Sequence, residues 1–263
     1  MNNKKTLQLI IILVLILTTV TGCYFLFFGK DRKIKNLFNE KLKFYPVKNL
    51  DDYYHLTPKG EYTKDNIYPG TWIVQSSISE KRGKILFSEG AVLYINLEKK
   101  NAKGKYYIYK IYDDKHKGLT TKETNYKIIM KNNKLKCVDK RASKSLKKKI
   151  ENFKFMSQYS NFKNTKKNQW VIRNYNYTLN NFFATRNLSN EDDIVKNLRK
   201  KYDIKDKSAP SIAMSGASSE FKKDNNIDIS LDINFNQNDI KISDSIGYHT
   251  EGVNEEDEYG TEL

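Results

Sequence analysis

Few residues in this chain have types and spacing that could do chemistry, and the foremost is Cys23, which closes the stretch Val20-Thr21-Gly22-Cys23. A second cysteine, Cys137 in "NNKLKCVD", alternates with Leu135 and is expected as a small buried residue of a strand. A Cys23–Cys137 disulfide would tie the body of the chain to an apolar leader and is disfavoured on that ground. Two distant cysteines and three scattered histidines (His55, His116, His249) offer no ligand pair at metal spacing, so no metal site is expected. Ser145-Leu146-Lys147-Lys148 satisfies S-x-x-K, yet the S-D-N and K-T-G partners of penicillin-binding enzymes are missing. In a lysine-rich stretch that match is expected by chance. Asp228 and Asp232 in "NNIDISLDINFN" share a strand face but lack the glycine turn of a calcium loop, and they read as the wet side of a strand. The sequence has no G-x-S-x-G, H-E-x-x-H, G-x-G-x-x-G or P-loop. The expectation is a non-enzyme with no catalytic residue and no cofactor, a binding or antigenic module with polyanion or solute binding as the alternative and an envelope enzyme as the contrasting class.

Cys23 gains its meaning from what precedes it. Asn2 to Lys5 give a short positive start, Leu7 to Val20 an apolar core, and the small residues before Cys23 an ending. That is the three-part plan of a secretory signal. It resembles the lipobox of bacterial lipoproteins, in which the cysteine thiol receives a diacylglycerol, the bond before it is cut, and the new amino terminus is acylated. Only a thiol becomes the thioether, and Gly22 lets the peptidase approach the Gly22–Cys23 bond. Two or more acyl chains make the anchoring stable where one would be marginal. The competing reading is an uncleaved signal anchor. Leu7 to Phe28 is about the roughly 20 residues that cross a bilayer, and Tyr24-Phe25-Leu26-Phe27-Phe28 prolongs the apolar run. Either way Lys4 and Lys5 hold the start inside, and the body is expected outside the cell on a membrane tether.

The body is basic. Lys and Arg number 47 against 31 Asp and Glu in 263 residues, a formal charge of +16. Losing Lys4 and Lys5 with the leader would lower it to +14. Attraction to polyanions is one cause; AT-rich codons, which favour Lys, Asn, Ile and Tyr, are the other. Nucleic acid is not an expected partner, because the aromatics fall at core spacing and export removes access to it. Teichoic acid, anionic lipid or an acidic host surface suits a tethered basic domain better. Glu251 to Leu263 holds six acids and no base, and is expected to be a disordered, solvated tail.

These residues need elements to carry them. Ile34, Leu37, Phe38 and Leu42 share one side of a helix over 33–42 that ends before Pro46. The strand candidates "GTWIVQSSI", "GAVLYINLEKK", "KGKYYIYKIYDD" and "NYKIIMKNNKLKCV" follow, the last with an Asn132-Asn133 hairpin turn. Their alternation argues for an antiparallel sheet with one wet face. Ala142 to Phe162 reads as a helix with Leu146, Ile150, Phe153 and Met156 inward. A second helix starts near Ser189-Asn190, with Ile194, Val195, Leu198 and Tyr202 as its inner stripe. "SIAMSG", "IDISLDINFN" and "DIKISDSIGY" complete the strands. Segregated strands and helices predict an α+β fold of antiparallel sheets with a few amphipathic helices, and leave a two-lobed or duplicated arrangement open.

Five ungapped stretches, "YPVKNLDDYY", "YPGTWIV", "NYKIIMKNNKLK", "KKKIENFKFMSQYSNF" and "DDIVKNLRKKYDI", resemble the staphylococcal tandem-type lipoproteins, also called the conserved staphylococcal antigen family. The similarity runs from about Ile34 to Tyr248. It implies a membrane-anchored surface lipoprotein without assigned enzymatic activity, linked to immune recognition and host-cell entry, and it carries over one residue, Cys23, as lipid acceptor. The expected organisation is a signal peptide at 1–22, a lipidated tether at 23–33, an α+β domain at 34–248 and the acidic tail at 249–263. The apolar run after Cys23 and the acidic end depart from the family pattern.

Overall fold

Period-two alternation of apolar and polar residues dominates the chain, and the computed structural model turns it into ten strands. These are β1 (Thr71–Arg82), β2 (Ile85–Asn96), β3 (Asn101–Asp114), β4 (Gly118–Lys131), β5 (Lys134–Cys137), β6 (Val171–Asn176), β7 (Asn181–Asn187), β8 (Ser211–Ala217), β9 (Ile227–Phe235) and β10 (Ile240–His249). Three helices, α1 (Lys144–Glu151), α2 (Met156–Tyr159) and α3 (Asp193–Tyr202), and a 3-10 turn at Leu50–Tyr54 complete the set. The structure describes residues 11–19, most of 32–56, 70–162 apart from 98, 100 and 116, then 170–176, 181–217, 227–235 and 239–249.

The chain divides into two compact units, Met1–Lys41 and Leu42–Leu263. In the first, residues 11–19 are helical with exposed side chains, and Ile34 and Phe38 are buried among helical positions. No helix among the described residues is long and apolar enough to cross a membrane. Gly22, Cys23 and the tail beyond His249 lie outside the described residues.

The second unit is one sheet in the order β5-β4-β3-β2-β1-β10-β9-β8-β7-β6, with every neighbouring pair antiparallel. One meander runs outward from β1 to β5, another inward from β6 to β10, and β10 closes on β1. The strand-rich halves are therefore halves of a single sheet. The fold is sheet-dominated and only loosely α+β, and no two-lobed arrangement is seen within this unit.

Alternation sorts the sheet into two faces. Trp72, Val74, Leu93, Ile95, Leu231 and Ile246 point to one side and are all fully buried. Each contributes about 1.5–3 kcal/mol through burial. The helices lie on this side, because Phe153 packs edge-on against Tyr106 at 5.7 Å and Arg199 stands over Phe235 at 5.8 Å. The 3-10 turn is there too, through Tyr53 against Trp72 at 5.3 Å.

The expected helix over Ala142–Phe162 is broken. α1, capped by Ser143, ends at Asn152, the chain extends through Phe155, and α2 is a single turn. Tertiary packing overrides helix continuation: Phe155 is fully buried against Phe153, and the Met156 N–H is taken by Ser76. α3 matches its expected stripe, with Ile194, Val195 and Leu198 buried. Cys137 is a half-buried free thiol on edge strand β5, not a core residue. A four-residue edge strand has a neighbour on one side only, so its cover is incomplete. β6 and β7 carry no counterpart among the expected strands.

Candidate functional site

The face away from the helices carries the more polar phase of β1, β3, β4, β5, β9 and β10, while β2 presents Val92 and Tyr94 there. On β3, β4 and β5 that phase supplies six lysines, Lys103, Lys105, Lys127, Lys131, Lys134 and Lys136, of which all but Lys105 are exposed. The register sets Lys105 directly opposite Lys127 and Lys131 directly opposite Lys134, and on the helix side it sets Lys110 opposite Lys122. Like charges directly opposed in a sheet are destabilising. Glu123 offsets one of them, 3.6 Å from Lys105. Arg141 spends its guanidinium on Asp139, donating at 2.8 Å, and holds that carboxyl well below the usual range. Lys149 of α1 pairs with Glu89. Residues 101–151 hold 16 Lys and Arg against 5 Asp and Glu. The basic charge thus converges on one end of the sheet.

Beside the lysines the same face has a recess of about 480 Å³ over β1, β2 and β3. Gln75, Ser88, Val92, Tyr94, Lys105, Tyr107 and Tyr109 line it. Tyr94 and Tyr107 are nearly buried, while Gln75, Ser88 and Tyr109 are half-buried. The cross-strand partner of Tyr107 on β2 is Gly90. A Cβ there would meet the Tyr107 hydroxyl at 2.8 Å and Ser77 Cβ at 2.6 Å. Without that methyl, Tyr107 reaches across β2, and its oxygen accepts a hydrogen bond from Gln75 Nε2 at 3.0 Å.

A third cluster is sealed inside the helix face. Asp244 of β10 is 1% exposed. It accepts from Tyr45 Oη at 2.7 Å and from Ser76 Oγ. Ser76 in turn accepts the Met156 N–H at 2.7 Å. Burial pushes the Asp244 carboxyl up to about 7, against the hydrogen bonds from Ser76, Tyr45 and the Ser157 and Met156 amides, which favour its charged form. Nearby, Lys201 Nζ lies 3.7 Å over the Tyr159 ring and donates to the Lys154 carbonyl at 3.0 Å. Desolvation first, and Lys154 second, push its ammonium down to about 7.

The residues singled out in the sequence stay apart. His55 is exposed beside the 3-10 turn, His249 ends β10 half-buried, and His116 lies outside the described residues. Ser145 and Lys148 are exposed on α1. Asp228 is exposed and Asp232 half-buried on the polar face, where Asp232 accepts from Ser243 at 2.7 Å and pairs with Lys241 at 3.0 Å. No group of three His, Cys, Asp or Glu able to hold a metal occurs among the described residues. Sequence reasoning missed Asp244 and Ser76. The signal was present: Asp244 occupies the same phase as Ile242, Ile246 and Tyr248, and Ser76 the same phase as Trp72 and Val74.

The body is thus a sheet-dominated domain with six lysines gathered on one face of β3, β4 and β5. Residues 30–251 match the Csa1 family, and the chain belongs to that family of staphylococcal lipoproteins. An uncharacterised lipoprotein of Staphylococcus epidermidis is 38% identical over 212 residues, covering 80% of this chain and 83% of the relative. One from Staphylococcus aureus is 38% identical over 215 residues, covering 81% and 83%. Another from S. epidermidis is 36% identical over 250 residues, covering 92% and 95%.

Proposed function

We propose that the protein is an extracellular binding module, tethered to the cell membrane through acylated Cys23, that docks phosphodiester-bearing polyanions of the cell envelope on its lysine face. One observation carries this reading: six lysines from three strands share one face, with two facing Lys–Lys pairs there. An anion lying along the strands would relieve that repulsion. The role is binding rather than catalysis, since the most perturbed carboxyl, Asp244, is sealed in the core and serves packing. An acidic host-cell surface is the second reading, favoured by the exposure of the same lysines, and it agrees with the surface-antigen role that the family resemblance implies.

The test uses the full chain in phosphatidylcholine nanodiscs, titrated with purified polyglycerol phosphate and, separately, with phosphatidylglycerol vesicles. Affinity should fall by about tenfold or more between about 0.05 and 0.5 M salt. The K127E/K134E/K136E variant should bind more weakly at low salt. Polymer binding without vesicle binding names a wall polymer, and the reverse names a lipid surface. Affinity that ignores both salt and the variant overturns the proposal. Mass spectrometry of the mature amino terminus tests the anchor: an acylated fragment beginning at Cys23 is expected, and an intact chain from Met1 would refute it.

A further inference from the structure

We infer that the recess over β1, β2 and β3 is a binding site for a neutral saccharide, distinct in chemistry from the lysine face beside it. Its volume of about 480 Å³ falls in the roughly 300–1,000 Å³ range of small-ligand sites. Its hydrogen-bonding groups are mixed in sense. Gln75 Nε2 donates to the Tyr107 oxygen, so the Tyr107 O–H remains a donor and Gln75 Oε1 an acceptor. Ser79 Oγ and Ser88 Oγ are joined at 2.9 Å, which leaves the pair one further hydroxyl proton to donate. Burial first, and the hydrogen bond to Glu123 second, push the Tyr109 hydroxyl up to about 12; the phenol donates to the carboxylate, and its oxygen keeps acceptor capacity.

That alternation discriminates between ligand classes. An anion needs donors alone and would meet the Gln75 and Tyr109 acceptors, while the Lys105 charge is balanced by Glu123 at 3.6 Å. An apolar chain would leave these polar groups unpaired, at a cost that excludes it. An extended peptide finds no free ladder, because β1, β2 and β3 each already pair on both sides. A sugar hydroxyl both donates and accepts, and the C–H face of a pyranose stacks on an aromatic ring. The half-buried Tyr109 supplies such a ring, held 5.2 Å from that of the buried Tyr107 at a tilt of 57°. A Cβ at Gly90 would clash with the Ser76 carbonyl oxygen, with Ser77 Cβ at 2.6 Å and with the Tyr107 hydroxyl at 2.8 Å, so glycine there lets β1 and Tyr107 keep their places.

The experiment titrates the full chain in phosphatidylcholine nanodiscs with two uncharged probes, the N-acetylglucosamine trimer and maltotriose, followed by saturation-transfer NMR and calorimetry. Saturable binding of at least one probe at millimolar concentrations is expected, unchanged between low and high salt. Gln75→Ala and Tyr109→Ala should each weaken it by about tenfold or more, while each variant keeps the wild-type circular dichroism spectrum and its salt-dependent polyanion binding. Those two controls separate loss of the recess from loss of the fold and from failure of the lysine-face reading. No saturable binding of either trisaccharide, or binding indifferent to both substitutions, overturns the inference.

Discussion

Ser76 of β1 and Asp244 of β10 stand directly opposite each other in the central strand pair, 168 residues apart in sequence, and Ser76 Oγ donates to Asp244 while accepting the Met156 N–H at 2.7 Å. One serine thus ties the two meanders and α2 together. With Tyr45 donating from the entering segment, four separate pieces of chain converge on a single buried carboxyl.

That carboxyl makes stability depend on pH. Its folded-state pKa is raised from 3.8 to about 7, so the folded chain keeps a proton that the unfolded chain releases. The associated stability is fully present below 3.8 and is lost as the pH rises through about 7. The melting temperature followed by circular dichroism should therefore increase from pH 7 to pH 5, and Asp244→Asn should flatten that slope. Lys201, shifted downward to about 7 from 10.5, acts above this window, where stability falls as pH drops from 10.5 toward 7. A slope unchanged in the Asp244→Asn variant would assign the effect elsewhere.

Removing the hydroxyls around Asp244 should cost stability in unequal amounts. Ser76→Ala removes one donor from the Asp244 carboxyl and one acceptor from the Met156 N–H, and urea unfolding should show a loss of about 2–3 kcal/mol. Tyr45→Phe removes one donor and should cost about 1–2 kcal/mol. Because both hydroxyls serve one carboxyl, the double variant should depart from additivity; strictly additive losses would show that the network does not act as a unit.

Asn132 and Asn133 both adopt left-handed backbone conformations, φ 51° and 57°, in the β4–β5 turn. Asn133 does more: its Oδ1 accepts from the Leu50 N–H at 2.5 Å, and its Nδ2 donates to Asn49 at 2.9 Å. Asn132→Gly should be neutral or stabilising by up to about 1 kcal/mol. Asn133→Gly keeps the turn but loses the anchor, and should cost about 1–2 kcal/mol in denaturant melts. Equal effects of the two glycines would show that the turn alone matters.

The facing lysines predict opposed effects on stability and binding. Lys122→Glu and Lys134→Glu each convert a Lys–Lys pair into an opposite-charge pair. Each should raise stability by about 0.2–1 kcal/mol at low salt, with the gain shrinking at high salt. Lys134→Glu should at the same time weaken polyglycerol phosphate binding. A variant that loses stability at low salt would show that these pairs carry no repulsion.

Much of this protein was legible in its residues. Alternation marked β1 to β5 and β8 to β10, and the Asn132-Asn133 hairpin turned where its residues required. β6 and β7 escaped, because "VIRNYN" and "NFFATRN" break their apolar phase with asparagine and arginine; Arg186, in phase with Ala184, is itself buried. The helix over 142–162 was drawn too long because local periodicity cannot register that β1 takes the Met156 amide. A leader ending at Cys23 is an expectation that rests on order along the chain alone, since lipidation is covalent chemistry that asks for no tertiary contact. Which residues share a strand face is equally local, since side chains alternate with every residue. Which strand lies beside which is not local. The β1–β10 closure, the gathering of lysines into facing pairs and the recess over β1, β2 and β3 all depend on register between strands. Register is chosen by the packing of whole faces, and only the tertiary structure decides it.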